Sequence, residues 1–213
     1  LRRVGIAHAL LERSSGEVTR GEAARALLRG GRDEDDVYAA ARYELGISLY
    51  TLGRHGAMND SKGQTGVAYL RERFPGLAPR RILDLGCTCG NSTLPYAEAW
   101  PDAEVHGIDL SAPALRYAHA RARLLGKAVH FRQASAEDTG YEPASFDLVV
   151  SHILLHEVSA AALQRIFAEW HRLLRGGPML FPLSAAITGL GLSILVNYAH
   201  GLWLAAIPAV FAI

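Results

Sequence analysis

Apolar and polar positions alternate with two different periods along this chain, and the change comes near Arg81. Before Arg81, apolar residues recur every three to four positions, which is typical of helices. This period predicts helices just after Thr19, over about residues 35–52, and from Asp60 or Ser61 to just before Pro75. We therefore expect residues 1–75 to form a helical cap on the part that follows. The apolar face of the middle helix would consist of Val37, Ala41, Leu45 and Leu49.

From Arg81 onward, short apolar runs alternate with helical segments. A helix is expected between Ser111 and Gly126, and another over Ala160–Leu174. Strands and helices that alternate at this spacing predict an α/β fold with a doubly wound, mostly parallel sheet. The predicted strands are Arg81–Leu85, Val105–Ile108, Val129–Phe131, Phe146–Val150 and Met179–Phe181.

The last part of the chain carries no charged side chain after Arg175. Residues 187–213 are long and apolar enough to cross a bilayer, which would give the protein a membrane contact. The same stretch could equally be a buried helix at a homodimer interface, or an end that is not native to the domain. All three interpretations of the apolar segment 184–213 stay open at this point.

Charge and cysteine content narrow the range of functions. Lys and Arg exceed Asp and Glu by one, and the two signs are mixed along the chain. This distribution argues against a nucleic-acid partner held by a basic surface. Cys87 and Cys89 are one residue apart, which suits neither a disulfide nor a zinc-finger pair. With no signal-peptide pattern at the N-terminus, we expect a cytoplasmic protein.

The strongest motif is the run Asp84-Leu85-Gly86-Cys87-Thr88-Cys89-Gly90-Asn91, which lies where the first predicted strand turns into a helix. Small residues at such a turn let the backbone approach a ligand closely. Asp109 ends the next strand, about twenty residues later, where a carboxylate can accept hydrogen bonds from ribose hydroxyls. The two glycines Gly86 and Gly90 are four apart, which does not fit the G-x-G-x-x-G run of nicotinamide-dependent oxidoreductases.

These motifs and their order resemble the class I S-adenosylmethionine-dependent methyltransferases, and within them the ubiquinone- and menaquinone-biosynthesis type. The resemblance covers residues 81–183 and implies a Rossmann-like core over residues 76–183 with S-adenosyl-L-methionine as cofactor. Beyond Leu183 it stops, so the final strands expected of the family could be missing. The runs that carry it are Ile82–Gly90, Ile108–Ser111, Ala136-Glu137, Ser145–Val150 and Arg172–Gly177.

The resemblance implies a role for each matching position. Asp84, Gly86, Cys87, Gly90 and Asn91 would face the methionine part of the cofactor. Asp109 would bind its ribose and Leu110 would lie against the adenine. Further along, Ala136 and Glu137 would flank the adenine, and Ser151 and His152 would line the place where cofactor and acceptor meet.

The chain departs from the family pattern at several positions, among them the run Arg175–Pro178, where the family usually has Pro-Gly-Gly. Thr88 stands where the family has a glycine, and Ser135 stands where it often has an adenine-binding Asp. The expected function is methyl transfer to an oxygen, nitrogen or carbon nucleophile of a small molecule. The departures favour one alternative, a non-catalytic protein that binds the cofactor or serves as a scaffold.

Two histidines follow the fourth predicted strand, His152 and His156, with Glu157 beside the second. The H-E-x-x-H pattern of zinc proteases is absent, so we expect no metal. Either histidine could act as general base for the acceptor, although packing without a chemical role is the simpler interpretation. By resemblance, the preceding helices would help to cover the pocket through some of Tyr43, Tyr50, His55, Asn59 and Lys62.

Overall fold

The computed structural model describes residues 37–174 and 192–196. Two helices precede a sheet in which strands and helices then alternate, except that, within the described residues, no helix separates the third and fourth strands. A short 3₁₀ helix, Leu154–His156, follows the fourth strand. The helices are α1 (Val37–Tyr50), α2 (Ser61–Arg73), α3 (Thr93–Ala99), α4 (Ala112–Leu124) and α5 (Ala160–Leu173). The strands are β1 (Arg81–Leu85), β2 (Glu104–Asp109), β3 (His130–Gln133), β4 (Leu148–His152) and β5 (Leu192–Val196).

The sheet has the order β3-β2-β1-β4-β5. The first four strands are parallel, and β5 runs antiparallel beside β4. The predicted Rossmann-like, doubly wound, mostly parallel sheet is therefore confirmed. Because β1 lies between β2 and β4, the carboxyl ends of these three strands meet at one edge. In such sheets the ligand binds at this edge, where the strand order reverses.

Helices cover both faces of the sheet, and β1 shows why. Its successive side chains point to opposite faces. Ile82 packs in a cluster with residues of α2 and α3, such as Leu70, whereas Leu83 packs with Trp170 of α5. Ile82, Leu83, Leu70 and Trp170 are all at most 1% exposed. Each face of the central strand thus has its own apolar core, which fixes the sheet from both sides.

The predicted face of α1 is wrong in part. Leu45 and Leu49 are 45% and 67% exposed, whereas Ala40 and Ala41 are buried. Helix α1 packs on α4, and its small residues lie in a cluster with Tyr117. The small side chains of α1 leave room for the larger ones of α4. The face of α1 that makes this contact is therefore the one with the alanines, and not the one with the leucines.

Strand bounds otherwise differ by a few residues. The fourth strand begins at Leu148 rather than Phe146, which forms only an isolated bridge with Leu174. The expected helix after Thr19 and the expected strand Met179–Phe181 lie outside the described residues.

Only five residues of the apolar C-terminal segment are described. They form β5, so a helical interpretation of that segment, whether buried or spanning a membrane, does not hold for Leu192–Val196. Within residues 37–174 and 192–196, no helix combines the length and the hydrophobicity that crossing a bilayer requires.

Candidate functional site

The turn after β1 is closed against β2 by main-chain hydrogen bonds. The N–H groups of Gly86 and Cys87 both donate to the Ile108 carbonyl, at 2.9 and 3.0 Å. The Gly90 N–H donates to the Cys87 carbonyl at 2.8 Å. Gly86 and Gly90 have φ values of +72° and +71°, a region that glycine enters without steric cost. The two glycines therefore allow this tight turn at the carboxyl edge of the sheet.

Thr88 occupies the same turn with a φ of +47°, although a β-branched residue rarely adopts this conformation. Its main-chain N–H donates to Oδ2 of Asp109 at 3.0 Å. A hydrogen bond to a charged acceptor contributes about 1.5–3 kcal/mol, comparable to the cost of the backbone strain. The departure from the family glycine is thus accommodated, and it links the first turn to the end of β2.

Asp109 is the last residue of β2, and both of its carboxylate oxygens are held by the main chain. Oδ2 accepts from Thr88, and Oδ1 accepts from the Ser111 N–H at 2.8 Å. Each carboxylate oxygen can accept a second hydrogen bond. The side chain is therefore fixed in place and keeps acceptor capacity for a ligand.

Asp84 lies beneath the turn and is only 1% exposed. Its Oδ2 accepts hydrogen bonds from the hydroxyls of Ser92 at 3.0 Å and Thr93 at 2.6 Å. Its Oδ1 has no hydrogen-bond partner among the described residues. Burial raises the pKa of this carboxyl to about 7, against the two hydroxyl hydrogen bonds, which favour the charged form. A cation at the turn would shift the group toward its carboxylate form.

This pKa gives a prediction for stability. Between pH 4 and pH 7 the folded protein holds a proton on Asp84 that the unfolded chain releases, because an ordinary Asp titrates near pH ~3.9. The free energy of unfolding should therefore fall as the pH rises through this window, by on the order of 3–4 kcal/mol relative to the non-titrating Asp84→Asn variant. Urea unfolding at several pH values measures this difference.

The exposed carboxyl of Asp102 provides the control, since Asp102→Asn should leave the pH dependence as it is in the parent protein. If the parent and Asp84→Asn curves remain parallel from pH 4 to pH 8, the burial argument for Asp84 is wrong.

A cavity of about 370 Å³ opens at this edge of the sheet. Its wall combines the turn after β1, the ends of β2 and β4, the 3₁₀ segment, and residues of α1 and α2. The lining residues are Tyr43, Ile47, Asn59, Lys62, Gly86, Cys87, Thr88, Asn91, Ser92, Asp109, His152, Ile153, Leu154 and Glu157.

The predicted cofactor residues divide into three groups, one at this cavity, one beneath it and one apart from it. Gly86, Cys87, Asn91 and Asp109 line it. Burial raises the pKa of the Cys87 thiol well above its usual range, so this cysteine is a small turn residue and not a reactive thiolate.

Three further predicted residues support the turn from behind. Asp84 is buried as described, and the fully buried Ser151 hydroxyl donates to the Leu85 carbonyl at 3.0 Å. Gly90 faces the Phe131 ring, which a Cβ at this position would approach to 3.0 Å. These residues shape the site and do not line it.

The predicted adenine residues lie apart from the cavity lining. Leu110 is 70% exposed. Ala136 packs against the apolar cluster that includes α5, and Glu137 forms an ion pair with Arg165. The structure therefore does not bring these three to the cavity wall, and their contact with adenine stays a prediction.

The two histidines have different settings. His152 lines the cavity at the end of β4 and is 5% exposed, and burial lowers its pKa to about 3. His156 closes the 3₁₀ helix, but its side chain lies outside the described part of the chain. In the described ranges, no group of three or more His, Cys, Asp or Glu side chains is placed to hold a metal ion.

Of the residues expected to close the pocket, Tyr43, Asn59 and Lys62 line it. Burial raises the pKa of Tyr43 and lowers that of Lys62. His55 instead lies 3.0 Å from the Ser61 hydroxyl, outside the lining. The side chain of Tyr50 falls outside the described residues.

Sequence reasoning missed Glu44 of α1. Its Oε1 accepts from the Asn91 side-chain amide at 3.0 Å and lies 3.2 Å from the Arg121 guanidinium. Its Oε2 accepts a short hydrogen bond from the Tyr117 hydroxyl. Arg121 is 1% exposed and also donates to the Met58 carbonyl at 2.5 Å. We call these four side chains, Glu44, Asn91, Tyr117 and Arg121, the Glu44 network.

The Glu44 network has one signal that could have been found in the sequence. Glu44 is an acid in the middle of a helix whose neighbours Ala40 and Ala41 are apolar, and such a position calls for a partner. The identity of the partner, 77 residues along the chain at Arg121, depends on how α1 crosses α4 and has no local signal.

The chain is similar in sequence to known methyltransferases. The profile of a family described as "Methyltransferase domain" matches residues 82–177. The chain is 35% identical over 116 residues to a ubiquinone biosynthesis O-methyltransferase of Pseudomonas aeruginosa, covering 54% of this chain and 48% of that protein. It is 36% identical over 88 residues to a trans-aconitate 2-methyltransferase of Rhodopseudomonas palustris, covering 39% and 34%.

The fold has solved counterparts as well. A crystal structure from Methanococcus maripaludis, described as an S-adenosyl-L-methionine-dependent methyltransferase, superposes with a TM-score of 0.55. The match covers 71% of this chain and 65% of that one at 19% identity, so it bears on the fold alone. The chain spans less than half the length of the two curated relatives named above. Residues 82–177 thus match a methyltransferase-domain family, and the order of their motifs is similar to that of the class I S-adenosylmethionine-dependent methyltransferases.

Proposed function

We propose that this chain transfers a methyl group from S-adenosyl-L-methionine to an oxygen, nitrogen or carbon nucleophile of a small molecule. The observation that carries the proposal is the fixed Asp109 carboxylate at a cavity on the carboxyl edge of the sheet. The cavity volume of about 370 Å³ falls in the range of small-molecule sites.

The donor and acceptor groups at the cavity fit the cofactor. Asp109 retains acceptor capacity for the ribose hydroxyls. The buried Asp84 has an oxygen with no partner among the described residues, beside Ser92 of the cavity wall. Two carboxyl groups near the turn favour a positively charged ligand, and the bound cofactor supplies a methyl group activated by its sulfonium charge.

Positioning would account for most of the rate. The chain needs no covalent nucleophile, because holding two reactants in line removes most of the entropic barrier. The apolar residues Ile47, Ile153 and Leu154 line the cavity beside the turn and would exclude water from it. The ring of Tyr43 is also part of the wall and could stabilise the sulfonium charge through its face.

We propose His156 as the general base for acceptors that must lose a proton. Support comes from its position between Leu154 and Glu157, which both line the cavity. Leu154 also packs against the turn, since a Cβ at Gly86 would come within 3.1 Å of the Leu154 Cβ.

A small-molecule acceptor is also consistent with the names of the two relatives, one acting on trans-aconitate and one in ubiquinone biosynthesis. The alternative of a non-catalytic protein rested on Thr88, on Ser135 and on the final strands that the resemblance does not cover. Thr88 keeps the turn intact, and the Ser135 hydroxyl accepts the Glu137 N–H at 3.1 Å. Neither substitution removes an element that the proposed reaction requires.

The experiment is a methyl-transfer assay that detects S-adenosylhomocysteine by mass spectrometry over a panel of hydroxy, amino and carboxylic acids, phenols and quinols. We expect turnover with at least one acceptor class. The His156→Gln variant should lower kcat by about 100-fold or more with KM little changed, whereas His171→Gln, at an exposed histidine of α5, should not change either constant.

Either of two results would contradict the proposal. Tight cofactor binding with no turnover on any acceptor would favour the non-catalytic alternative. If His156→Gln turns over as fast as the parent protein, the proposed methyl transfer stands but His156 is not its general base.

A further inference from the structure

Two polar side chains of the cavity wall have no role in holding the cofactor as described above. Lys62 lies in the first turn of α2, and His152 is the last residue of β4. Both line the cavity. Among the described residues, the Lys62 ammonium has neither an ion-pair partner nor a hydrogen-bond acceptor. Burial is the main cause of the lowered pKa of His152, and the Lys62 charge is a smaller one.

The hydrogen of the His152 ring can be assigned from its partner. Its Nε2 lies 3.0 Å from the hydroxyl of Tyr96, which is fully buried. Within the described ranges, that hydroxyl has no other acceptor for its hydrogen, so it donates to Nε2. The neutral ring then carries its own hydrogen on Nδ1, an assignment made from the network.

The Nδ1–H group is therefore a buried donor without an acceptor. Nδ1 has no hydrogen-bond partner among the described residues, and the side chain is 5% exposed at the cavity wall. Leaving such a donor unpaired costs about 1–3 kcal/mol. A ligand oxygen that reaches Nδ1 through the cavity wall, which His152 helps to form, would satisfy it.

Asp109 and His152 lie on opposite sides of the turn after β1, because Asp109 ends β2, His152 ends β4 and β1 lies between these two strands. The ribose is proposed to bind on the Asp109 side. The unpaired donor of His152 lies on the β4 side, and Lys62 of α2 lines the same cavity. The β4 side is left for the acceptor.

We propose that Lys62 and the Nδ1–H of His152 form an anion subsite that binds a carboxylate of the methyl acceptor. This inference rests on the proposed methyl transfer and narrows its acceptor to small carboxylic acids. A carboxylate oxygen accepts the hydrogen bond from Nδ1, and its charge favours the protonated form of Lys62. His152 then acts as a neutral donor that orients the acceptor, a role different from that of a general base.

The test is calorimetry on the full chain saturated with S-adenosylhomocysteine. The probes are succinate, tricarballylate, benzoate and 4-hydroxybenzoate, each compared with its uncharged amide. We expect at least one carboxylate to bind, with its amide at least tenfold weaker. Lys62→Met should lower the affinity for that carboxylate at least tenfold, whereas Lys62→Arg should retain most of it. The surface variant Lys127→Met should bind the carboxylate as the parent protein does.

A second pair of probes separates the acceptor carboxylate from the methionine carboxylate of the cofactor. 5′-Methylthioadenosine has the nucleoside and the thioether but not the amino acid part. If Lys62→Met weakens the binding of S-adenosylhomocysteine but not that of methylthioadenosine, Lys62 binds the cofactor and the proposal is overturned.

The remaining outcomes are equally decisive. Binding of S-adenosylhomocysteine with no bound carboxylate, or with one that Lys62→Met does not affect, overturns the anion subsite alone. Failure of the parent protein to bind S-adenosylhomocysteine overturns both this subsite and the proposed function.

Discussion

Replacement of Asp109 by alanine is expected to weaken S-adenosylhomocysteine binding by at least about 100-fold. Two hydrogen bonds from the ribose to a charged acceptor would be lost, and each is worth about 1.5–3 kcal/mol. The same change also removes the acceptors of the Thr88 and Ser111 N–H groups. Both effects act on the cofactor half of the site, and calorimetry with the full chain measures their sum.

Two control variants test whether the loss of binding is specific to the Asp109 side chain. Asp109→Asn keeps an oxygen acceptor and nearly the same shape, so it should bind with intermediate affinity. Asp102→Ala removes an exposed carboxylate seven residues earlier and should leave binding unchanged. If Asp109→Ala binds within threefold of the parent protein while its melting temperature is unchanged, Asp109 does not hold the ribose.

The second large effect concerns stability. Glu44→Ala is expected to lower the free energy of unfolding by about 3 kcal/mol, because it leaves the almost fully buried Arg121 guanidinium without its carboxylate. The Tyr117 hydroxyl and the Asn91 amide lose their acceptor at the same time. Urea unfolding followed by circular dichroism measures the difference.

The matched control is Glu98→Ala, which breaks the surface ion pair between Glu98 and Lys127. Exposed pairs contribute about 0–1 kcal/mol, so this variant should lie close to the parent protein. Because Asn91 lines the cavity, Glu44→Ala should also weaken S-adenosylhomocysteine binding. Equal stability of the two variants would show that the Glu44 network contributes no more than a surface ion pair.

The parts of the fold that the sequence could predict are those with a local cause. The strand β1 runs from Arg81 to Leu85 as predicted, because a short run built around Ile82, Leu83 and Leu85 and ending in glycine is typical of a buried parallel strand. The helix α4 begins after Ser111, whose hydroxyl accepts the Ala114 N–H, as its capping position indicates. The turn at Gly86 was likewise predicted, because small residues follow directly after the first strand.

The parts that could not be predicted depend on contacts between distant segments. The period of α1 shows four apolar residues on one side, yet packing on α4 selects Ala40 and Ala41 and leaves Leu45 and Leu49 exposed. The pairing of the His152 ring with Tyr96 joins β4 to α3 across 56 residues.

The last strand of the sheet, β5, also depends on a contact between distant segments. The apolar segment after residue 183 is compatible with several structures by composition alone. Pairing with β4 selects an extended conformation for Leu192–Val196. Without β5, strand β4 would be the edge of the sheet, and its unpaired main-chain groups could accept a neighbour in either direction, so composition does not decide the outcome.

The Glu44 network links two processes thermodynamically, the docking of helix α1 and the binding of the cofactor. Asn91 contacts Glu44 on one side and lines the cavity on the other, so occupancy of the cavity and docking of α1 are properties of one linked equilibrium. If cofactor binding strengthens the attachment of α1 by a given factor, then detachment of α1 must weaken cofactor binding by the same factor. Helix α1 would in this sense be an intramolecular effector, whose strength can be read from the rise in its hydrogen-exchange protection on cofactor binding.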